Sequence, residues 1–174
     1  GCNGVDFSSD LHVLANEIKI KNISFSDGEI FVSTGVSKIS IENCLFETKG
    51  INLTANNSDI LINNCILHGL KVNDCKRLKV TNATLLESAG IGNASSKYCV
   101  YGPFDGEISN SIIFAQEGHA LNFSKEGKSD FNFAYSLVFA QRGHIHYNDK
   151  KISLSDPKEF AKALGRWSHS IIEQ

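Results

Sequence analysis

Apolar and polar residues alternate along most of this chain, in short segments that end at an asparagine. The alternation has a period of two, which predicts β-strands, because successive side chains of a strand point to opposite faces. The same pattern recurs: apolar-x-apolar-x-Asn, with another apolar residue three positions later. Its clearest copies are residues 18–25, 39–46, 60–67 and 78–85, and weaker copies are residues 108–113 and 131–138.

A second apolar segment, introduced by glycine, follows each copy; residues 4–7 fit this second strand too. The asparagine of the pattern falls at positions 22, 43, 64, 82 and 110, and a tyrosine takes its place at 135. Repeats of about 20–25 residues built from strands predict a solenoid, in which each repeat forms one rung. Neither paired helical segments nor leucine-rich repeats are visible. We therefore expect an all-β parallel β-helix of about six rungs.

The repeated asparagine is suited to the turn between two strands. Such a turn often requires the left-handed backbone region, which asparagine tolerates better than most residues. Equivalent residues on successive rungs lie about 4.7–4.9 Å apart, so we expect a ladder of hydrogen-bonded amides that satisfies groups facing the interior. Two columns of stacked core side chains are expected, formed by Ile20, Ile41, Ile62, Val80 and Ile108 and by Phe25, Phe46, Leu67 and Leu85.

Five cysteines leave two interpretations open. An odd number cannot pair completely within the chain, and no Cys-x-x-Cys motif suggests a zinc ribbon or a redox centre. Cys44 and Cys65 follow the asparagine on adjacent rungs, so their Cα atoms are expected within disulfide distance. Ile23 and Ala83 share their column and are apolar, which favours free buried thiols over a bridge.

The repeats, of the type I-x-I-x-N-C-x-F followed by glycine, resemble the right-handed β-helix proteins of the pectate-lyase-like superfamily over about residues 4–150. The resemblance implies a single-stranded, right-handed coil. It also implies a bacterial, secreted protein, extracellular or periplasmic, that binds or cleaves acidic polysaccharide. Calcium is implied as a possible cofactor by the resemblance only, because no column of Asp and Glu predicts a calcium site here. No other cofactor is evident.

The tail of the chain predicts a different element. Residues 155–165 begin with Ser155 as an N-cap and end at Gly165, which predicts a short helix that covers the open end of the coil. The His-Ser-Ile sequence that follows resembles a region of bacterial polysaccharide-acting β-helix proteins that leads into a further rung. We therefore divide the chain into β-helix repeats at 1–152 and a capping helix and tail at 153–174. We expect a natural short form or a piece of a longer protein, whose further rungs would then be partners.

Composition narrows the range of partners. A chain that is 41% hydrophobic and 21% charged is expected to fold. The net charge is −2 and the basic residues are scattered, which argues against binding to nucleic acid or to an anionic membrane. No run of about 18 apolar residues predicts a membrane span, and no signal peptide is visible at the start.

A duplicated segment is the strongest candidate for chemistry. The sequence Phe-Ala-Gln-x-Gly-His occurs at residues 114–119 and again 25 residues later. Stacked rungs would place His119 on His144. A lyase needs a base that removes the proton beside a uronate carboxylate and a cation that stabilises the resulting charge, so His119, His144 and Arg142 are the candidate catalytic residues. Duplication of surface residues together with the rung is the simpler alternative.

Polar and aromatic residues near this segment are the candidate substrate-binding residues. Two tyrosines lie in the longest excursion from the repeat, residues 91–106, where they either stack on sugar rings or pack the excursion onto the coil. No metal-ligand set is predicted. The full substrate-binding set is Gln116, Gln141, Asn122, His146, Tyr147, Tyr98 and Tyr101.

Two outward-facing columns run beside the asparagines. This mixed polar face could line a sugar groove, and it is equally typical of a solvated sheet. One column contains Lys21, Glu42, Asn63, Thr81, Ser109 and Ala134, and the other contains Lys19, Ser40, Leu61, Lys79, Glu107 and Asn132.

Two functional hypotheses follow. The first is a domain that binds or acts on acidic polysaccharide, as a lyase or a glycoside hydrolase if it is an enzyme. The second is a non-catalytic structural or adhesin-like solenoid module. No catalytic motif is complete, which moves the balance towards a non-catalytic domain.

Overall fold

The chain coils around one core as an all-β parallel solenoid, as the repeat predicts. No helix occurs among the residues that the structure describes. This computed structural model describes residues 5–8, 11–13, 16–27, 29–32, 36–48, 51–53, 58–72, 75–88, 98–102, 104–116, 119–123, 131–140, 144–147, 150–153, 167–168 and 170–173.

The strands follow one another in chain order around the coil. They are β1 (Val5–Phe7), β2 (Leu11–Val13), β3 (Glu17–Lys21), β4 (Ile23–Phe25), β5 (Ile30–Val32), β6 (Lys38–Glu42), β7 (Leu45–Phe46), β8 (Ile51–Leu53), β9 (Asp59–Asn63), β10 (Ile66–His68), β11 (Leu70–Val72), β12 (Cys75–Thr81), β13 (Thr84–Leu86), β14 (Tyr98–Tyr101), β15 (Phe104–Ser109), β16 (Ile112–Ala115), β17 (His119–Phe123), β18 (Phe131–Ala134), β19 (Leu137–Ala140), β20 (His144–Tyr147), β21 (Lys150–Ser153), β22 (Trp167–Ser168) and β23 (Ile171–Glu173).

Three sheets result, because every third strand of the coil lies beside its equivalent on the next rung. Sheet 1 follows the asparagine corner and has the order β1-β4-β7-β10-β13-β16-β19-β23. Sheet 2 contains the strands introduced by glycine, in the order β2-β5-β8-β11-β14-β17-β20-β21. Sheet 3 precedes the corner and has the order β3-β6-β9-β12-β15-β18-β22, written here from its β3 edge.

The core consists of the inward columns that the repeat predicts. In sheet 3, Ile20 lies opposite Ile41 and Val80 lies opposite Ile108 in the strand register, and all are buried. In sheet 1, Phe25 pairs with Phe46, and their rings stack with centroids 4.6 Å apart. Stacking of identical apolar side chains therefore supplies the hydrophobic contact between rungs.

The corner between sheets 3 and 1 has the same backbone geometry on every described rung. Its residues have φ between 50° and 57°, the left-handed region expected from the sequence. The predicted burial of this column is wrong, because all six side chains are exposed. The ladder lies outside the core, since a corner residue of this backbone conformation is on the convex side of the turn. The six residues are Asn22, Asn43, Asn64, Asn82, Asn110 and Tyr135.

The residue after each corner is small and buried. Ser111 Oγ donates to the carbonyl oxygen two residues earlier (2.8 Å) and accepts from the backbone N–H of Ala83 on the preceding rung (3.2 Å). Ser136 repeats both bonds, at 2.9 Å and 3.1 Å. Cys44 and Cys65 donate their thiols to the carbonyl oxygen two residues earlier, each at 3.3 Å. This position therefore favours a small side chain that can donate a hydrogen bond.

The structure corrects the placement of residues 4–7. Val5–Phe7 pairs with Ile23–Phe25 and so belongs to sheet 1 instead of the glycine-introduced strand. That role falls to Leu11–Val13, which pairs with Ile30–Val32. The short apolar pattern of residues 4–7 fits either strand, and only pairing with a neighbouring rung distinguishes them.

The last described strands continue the sheets. Trp167–Ser168 pairs in parallel with Phe133–Ala134, and Ile171–Glu173 pairs in parallel with Leu137–Phe139. In sheet 2, β21 instead pairs antiparallel with β20. The predicted helix at 155–165 lies outside the described residues. The predicted number of six rungs and the division at residue 152 stay predictions.

Candidate functional site

The outward face of sheet 3 carries a groove of about 1170 Å³. It is formed by neighbouring strands β3, β6, β9 and β12, with the end of β15. The outward side chains of these strands fall into three rows that cross the strands at the interstrand spacing. Two of the rows are the outward columns expected from the sequence, and the strand register confirms both.

The first row, which the sequence analysis missed, alternates in charge. Glu17 lies opposite Lys38, Lys38 opposite Asp59, and Asp59 opposite Arg77. Opposite charges on directly facing strand positions stabilise the pairing. The signal for this row was present one position before each apolar-x-apolar segment, where the sign of the charge changes from one copy of the repeat to the next.

The third row is held together by its own hydrogen bonds. Lys21 Nζ contacts Glu42 Oε2 at 2.5 Å, and Ser40 donates to the other oxygen of the same carboxylate at 2.8 Å. This contact raises the pKa of Lys21 and lowers the pKa of Glu42. Thr81 donates to the Asn63 amide oxygen at 2.9 Å. The row is therefore ordered before any ligand binds.

The second row keeps its cations available. Among the described side chains, the Lys21–Glu42 contact is the only ion pair. Lys19 and Lys79 lie in this row at exposed positions, and Lys38 and Arg77 are exposed in the first row. The groove therefore presents ammonium and guanidinium donors beside carboxylate, hydroxyl and amide groups.

A second groove, of about 550 Å³, follows the asparagine corner. The exposed amides of Asn22, Asn43, Asn64 and Asn82 form one wall. The side opposite carries Ser24, Leu45, Ile66 and Thr84, which face outward from sheet 1. The buried thiols of Cys44 and Cys65 also line this groove. We call it the thiol groove.

The two thiols of this groove differ in acidity. Both cysteines are free, as the apolar neighbours in their column favoured. A hydrogen bond from the Cys65 side chain lowers the pKa of Cys44 to about 7. The same bond, reinforced by burial, raises the pKa of Cys65 far above its usual value. Burial also raises the pKa of Cys99, which is fully enclosed in the core.

The candidate catalytic residues lie on sheet 2, whereas the groove lies on sheet 3. His119 begins β17 opposite Tyr98, and His144 begins β20. Arg142 lies outside the described residues. Asn122 lies opposite His146, a step of 24 residues, which is one short of the step that would bring His119 opposite His144.

The candidate substrate-binding residues spread over the same sheet. Asn122 lies between Tyr101 and His146, and Tyr147 lies opposite Phe123. Gln116 is exposed just after β16, and Gln141 lies outside the described residues. The structure therefore groups Tyr101, Asn122 and His146 in one row of sheet 2 and leaves Gln116 apart from them.

Tyr98 is fully buried, and its ring contacts that of Tyr101 with centroids 4.9 Å apart. Both tyrosines belong to β14, a regular strand of sheet 2. This agrees with the packing interpretation of the excursion, in which the aromatic side chains join the core. Burial and the neighbouring charge of Glu29 raise the pKa of Tyr98, so its hydroxyl stays protonated.

Other site classes find no support in the described part of the chain. No group of three or more His, Cys, Asp and Glu side chains there is placed to hold a metal ion. None of its helical or other described segments is a helix long and apolar enough to cross a membrane. Comparisons with protein-family models, curated proteins and solved structures find no match to this chain.

Proposed function

We propose that this chain is a polysaccharide-binding module and that the groove on sheet 3 holds an extended sugar chain along the axis of the coil. The observation that supports this most directly is the arrangement of the three outward rows, which repeat donors and acceptors at every strand. A polymer lying along the rows would meet equivalent groups at each step. The proposal includes a right-handed coil of about six rungs and a bacterial protein that acts outside the cytoplasm, as the sequence resemblance implies.

The chemistry of the groove suits sugars because hydroxyl groups both donate and accept hydrogen bonds. Lys79 and Arg77 are donors, Asp59 and Asn63 are acceptors, and Ser109 can do both. The cations suit the carboxylates of an acidic polysaccharide, since hydrogen bonds between ionised groups are the strong ones. Row three supplies ordered side chains, so little conformational entropy is lost when the ligand binds.

The charge balance makes other polymers less suitable. Glu17 and Asp59 lie within the groove and would repel the phosphates of a nucleic acid. A protein interface is expected to have an apolar or aromatic centre with few charges. In the groove, Leu61 is the one exposed large apolar side chain among the described residues.

Binding without cleavage is the form of the proposal that the geometry favours. The predicted catalytic residues His119 and His144 belong to strands of sheet 2. A polysaccharide on sheet 3 would therefore lie on a different face of the coil from β17 and β20. The proposal needs no calcium and no other cofactor.

The test is retention of the protein by a panel of acidic and neutral polysaccharides immobilised in native gels, with and without calcium. Lys79→Gln, within the groove, is compared with Lys76→Gln, which removes the same charge from an exposed position of the same strand. A lost charge-assisted hydrogen bond of about 1.5 kcal/mol weakens binding about tenfold. We expect that loss for Lys79→Gln and near-normal retention for Lys76→Gln.

Three results would count against the proposal. Absence of retention on every polymer favours the structural or adhesin-like alternative. Equal retention of both variants places binding elsewhere on the coil. New reducing ends released from any polymer would establish an enzyme, and His119→Ala and His144→Ala would then be the first variants to compare.

A further inference from the structure

The thiol groove holds a pair of cysteines whose place in the fold has a chemical consequence independent of sugar binding. Ile66 donates its backbone N–H to the carbonyl oxygen of Cys44 at 3.0 Å, and Leu45 lies opposite Ile66 in the register. Cys44 and Cys65 are therefore neighbours on adjacent strands. Cα atoms at that spacing, about 4.7–4.9 Å, fall within the range of a disulfide, about 4.4–6.8 Å.

We propose that Cys44 and Cys65 form a thiol–disulfide exchange site that closes into a disulfide between adjacent rungs when it meets a small-molecule disulfide. Both thiols line the floor of an open groove, so a reagent can approach them without unfolding of the coil. Cys99 is enclosed in the core on every side and provides the contrast within the same chain.

The exchange proceeds in two balanced steps. The Cys44 thiolate attacks one sulfur of the small disulfide, forms a mixed disulfide, and releases the other half as a thiolate. Cys65 then loses its proton to solvent and attacks Cys44 Sγ, which forms the bond between the rungs and releases the second thiolate. The protein loses two hydrogens, and the small disulfide is reduced to two thiols.

The local hydrogen bonds support this order of attack. Cys65 donates towards Cys44, which stabilises the Cys44 thiolate and keeps its pKa near 7. A thiolate with a pKa near the ambient pH is the most effective attacking group. Cys65 stays protonated until Cys44 has become a mixed disulfide, because a thiolate at Cys44 raises the pKa of its neighbour. The geometry thus gives the two cysteines different roles.

The first experiment treats reduced, folded protein with oxidised glutathione at pH 8 and counts free thiols. Trypsin then separates the two cysteines, since Cys44 lies in peptide 39–49 and Cys65 in peptide 50–71. We expect a loss of two thiols and a linked pair of these peptides that separates on reduction. No change in thiol content, or a link that involves another cysteine, would overturn the proposal.

Variants separate the two steps. Cys65→Ser should stop the reaction at a glutathione adduct on Cys44, whereas Cys75→Ser should still give the linked peptides. Serine is a safe replacement, because Ser111 and Ser136 occupy the equivalent position on other rungs. Near-ultraviolet circular dichroism checks that each variant is folded. An adduct on Cys44 that persists in the original protein would show that Cys65 cannot reach it and would overturn the proposal.

Discussion

Asn64 donates a hydrogen bond from its Nδ2 atom to the Oδ1 atom of Asn43 on the preceding rung, at a distance of 2.9 Å. Asn43 makes the same bond to Asn22 at 3.0 Å. Each of these residues also has the left-handed backbone that its corner requires. One residue type therefore serves both the bend within a rung and the contact between rungs, and mutation can separate the two roles.

We expect Asn43→Ala to lower the free energy of unfolding by about 2–3 kcal/mol. About 1–2 kcal/mol is the cost of holding alanine in the left-handed region, and the remainder is the loss of two exposed side-chain hydrogen bonds. Asn43→Gly avoids the backbone cost and should lose about half as much. Urea denaturation measures both, and equal losses would contradict this division.

Phe46→Ala should lower the free energy of unfolding by about 3–5 kcal/mol, because it leaves a cavity in a fully buried column. Phe114→Ala is the matched control. Phe114 stacks on Phe139 with centroids 4.9 Å apart, yet it is 39% exposed. Its replacement should cost about 0.5–1.5 kcal/mol, the value of the aromatic contact. Thermal or urea unfolding distinguishes the two, and a reversed order would show that the core is not where the columns place it.

Ser136→Ala should lower the free energy of unfolding by about 1–3 kcal/mol. It removes the acceptor of the Ser111 backbone N–H inside the coil, and a buried donor without its acceptor is costly. Ser136→Cys should cost less, because cysteine occupies this column on other rungs and keeps a donor to the carbonyl oxygen of Ala134. Urea denaturation tests the order, and a less stable cysteine variant would contradict it.

The reactivity of Cys44 should depend on pH in a way that reports its neighbour. Thiolate is the reactive form, so modification by methyl methanethiosulfonate should rise with pH to a midpoint of about 7 and then level off. In Cys65→Ala the hydrogen-bond donor is lost, and the midpoint should move upward towards the ordinary thiol value of about 8.5. Mass spectrometry of peptide 39–49 follows the reaction, and an unchanged midpoint would show that Cys65 does not donate to Cys44.

The sequence was sufficient for the columns because each depends on a local preference that the repeat copies. Asparagine at positions 22, 43, 64, 82 and 110 required a left-handed corner, and the structure has one at each. It did not reveal that these side chains are exposed, because the direction in which a corner residue points depends on how the two adjoining sheets meet. The placement of residues 4–7 failed for a similar reason, since three residues fit more than one strand until they pair.

The candidate sites were harder to predict than the fold. The two outward columns of sheet 3 followed from counting residues back from the asparagine, and the register confirms them. On sheet 2 the count between rungs depends on the excursions between strands. The step from Asn122 to His146 is 24 residues, although the adjoining sheet 1 keeps a step of 25 from Ala115 to Ala140. Exact repetition of sequence therefore did not guarantee alignment of the histidines.

The order of sheet 1 also determines how this protein would respond to mechanical force. Val5–Phe7 lies at one edge of the sheet and Ile171–Glu173 at the other. Tension applied between Val5 and Glu173 would pull along the direction of the interstrand hydrogen bonds, so it would load the end rungs first and open their bonds in sequence. The coil should extend as a series of small length increments, each close to the contour of one repeat, in place of a single large rupture.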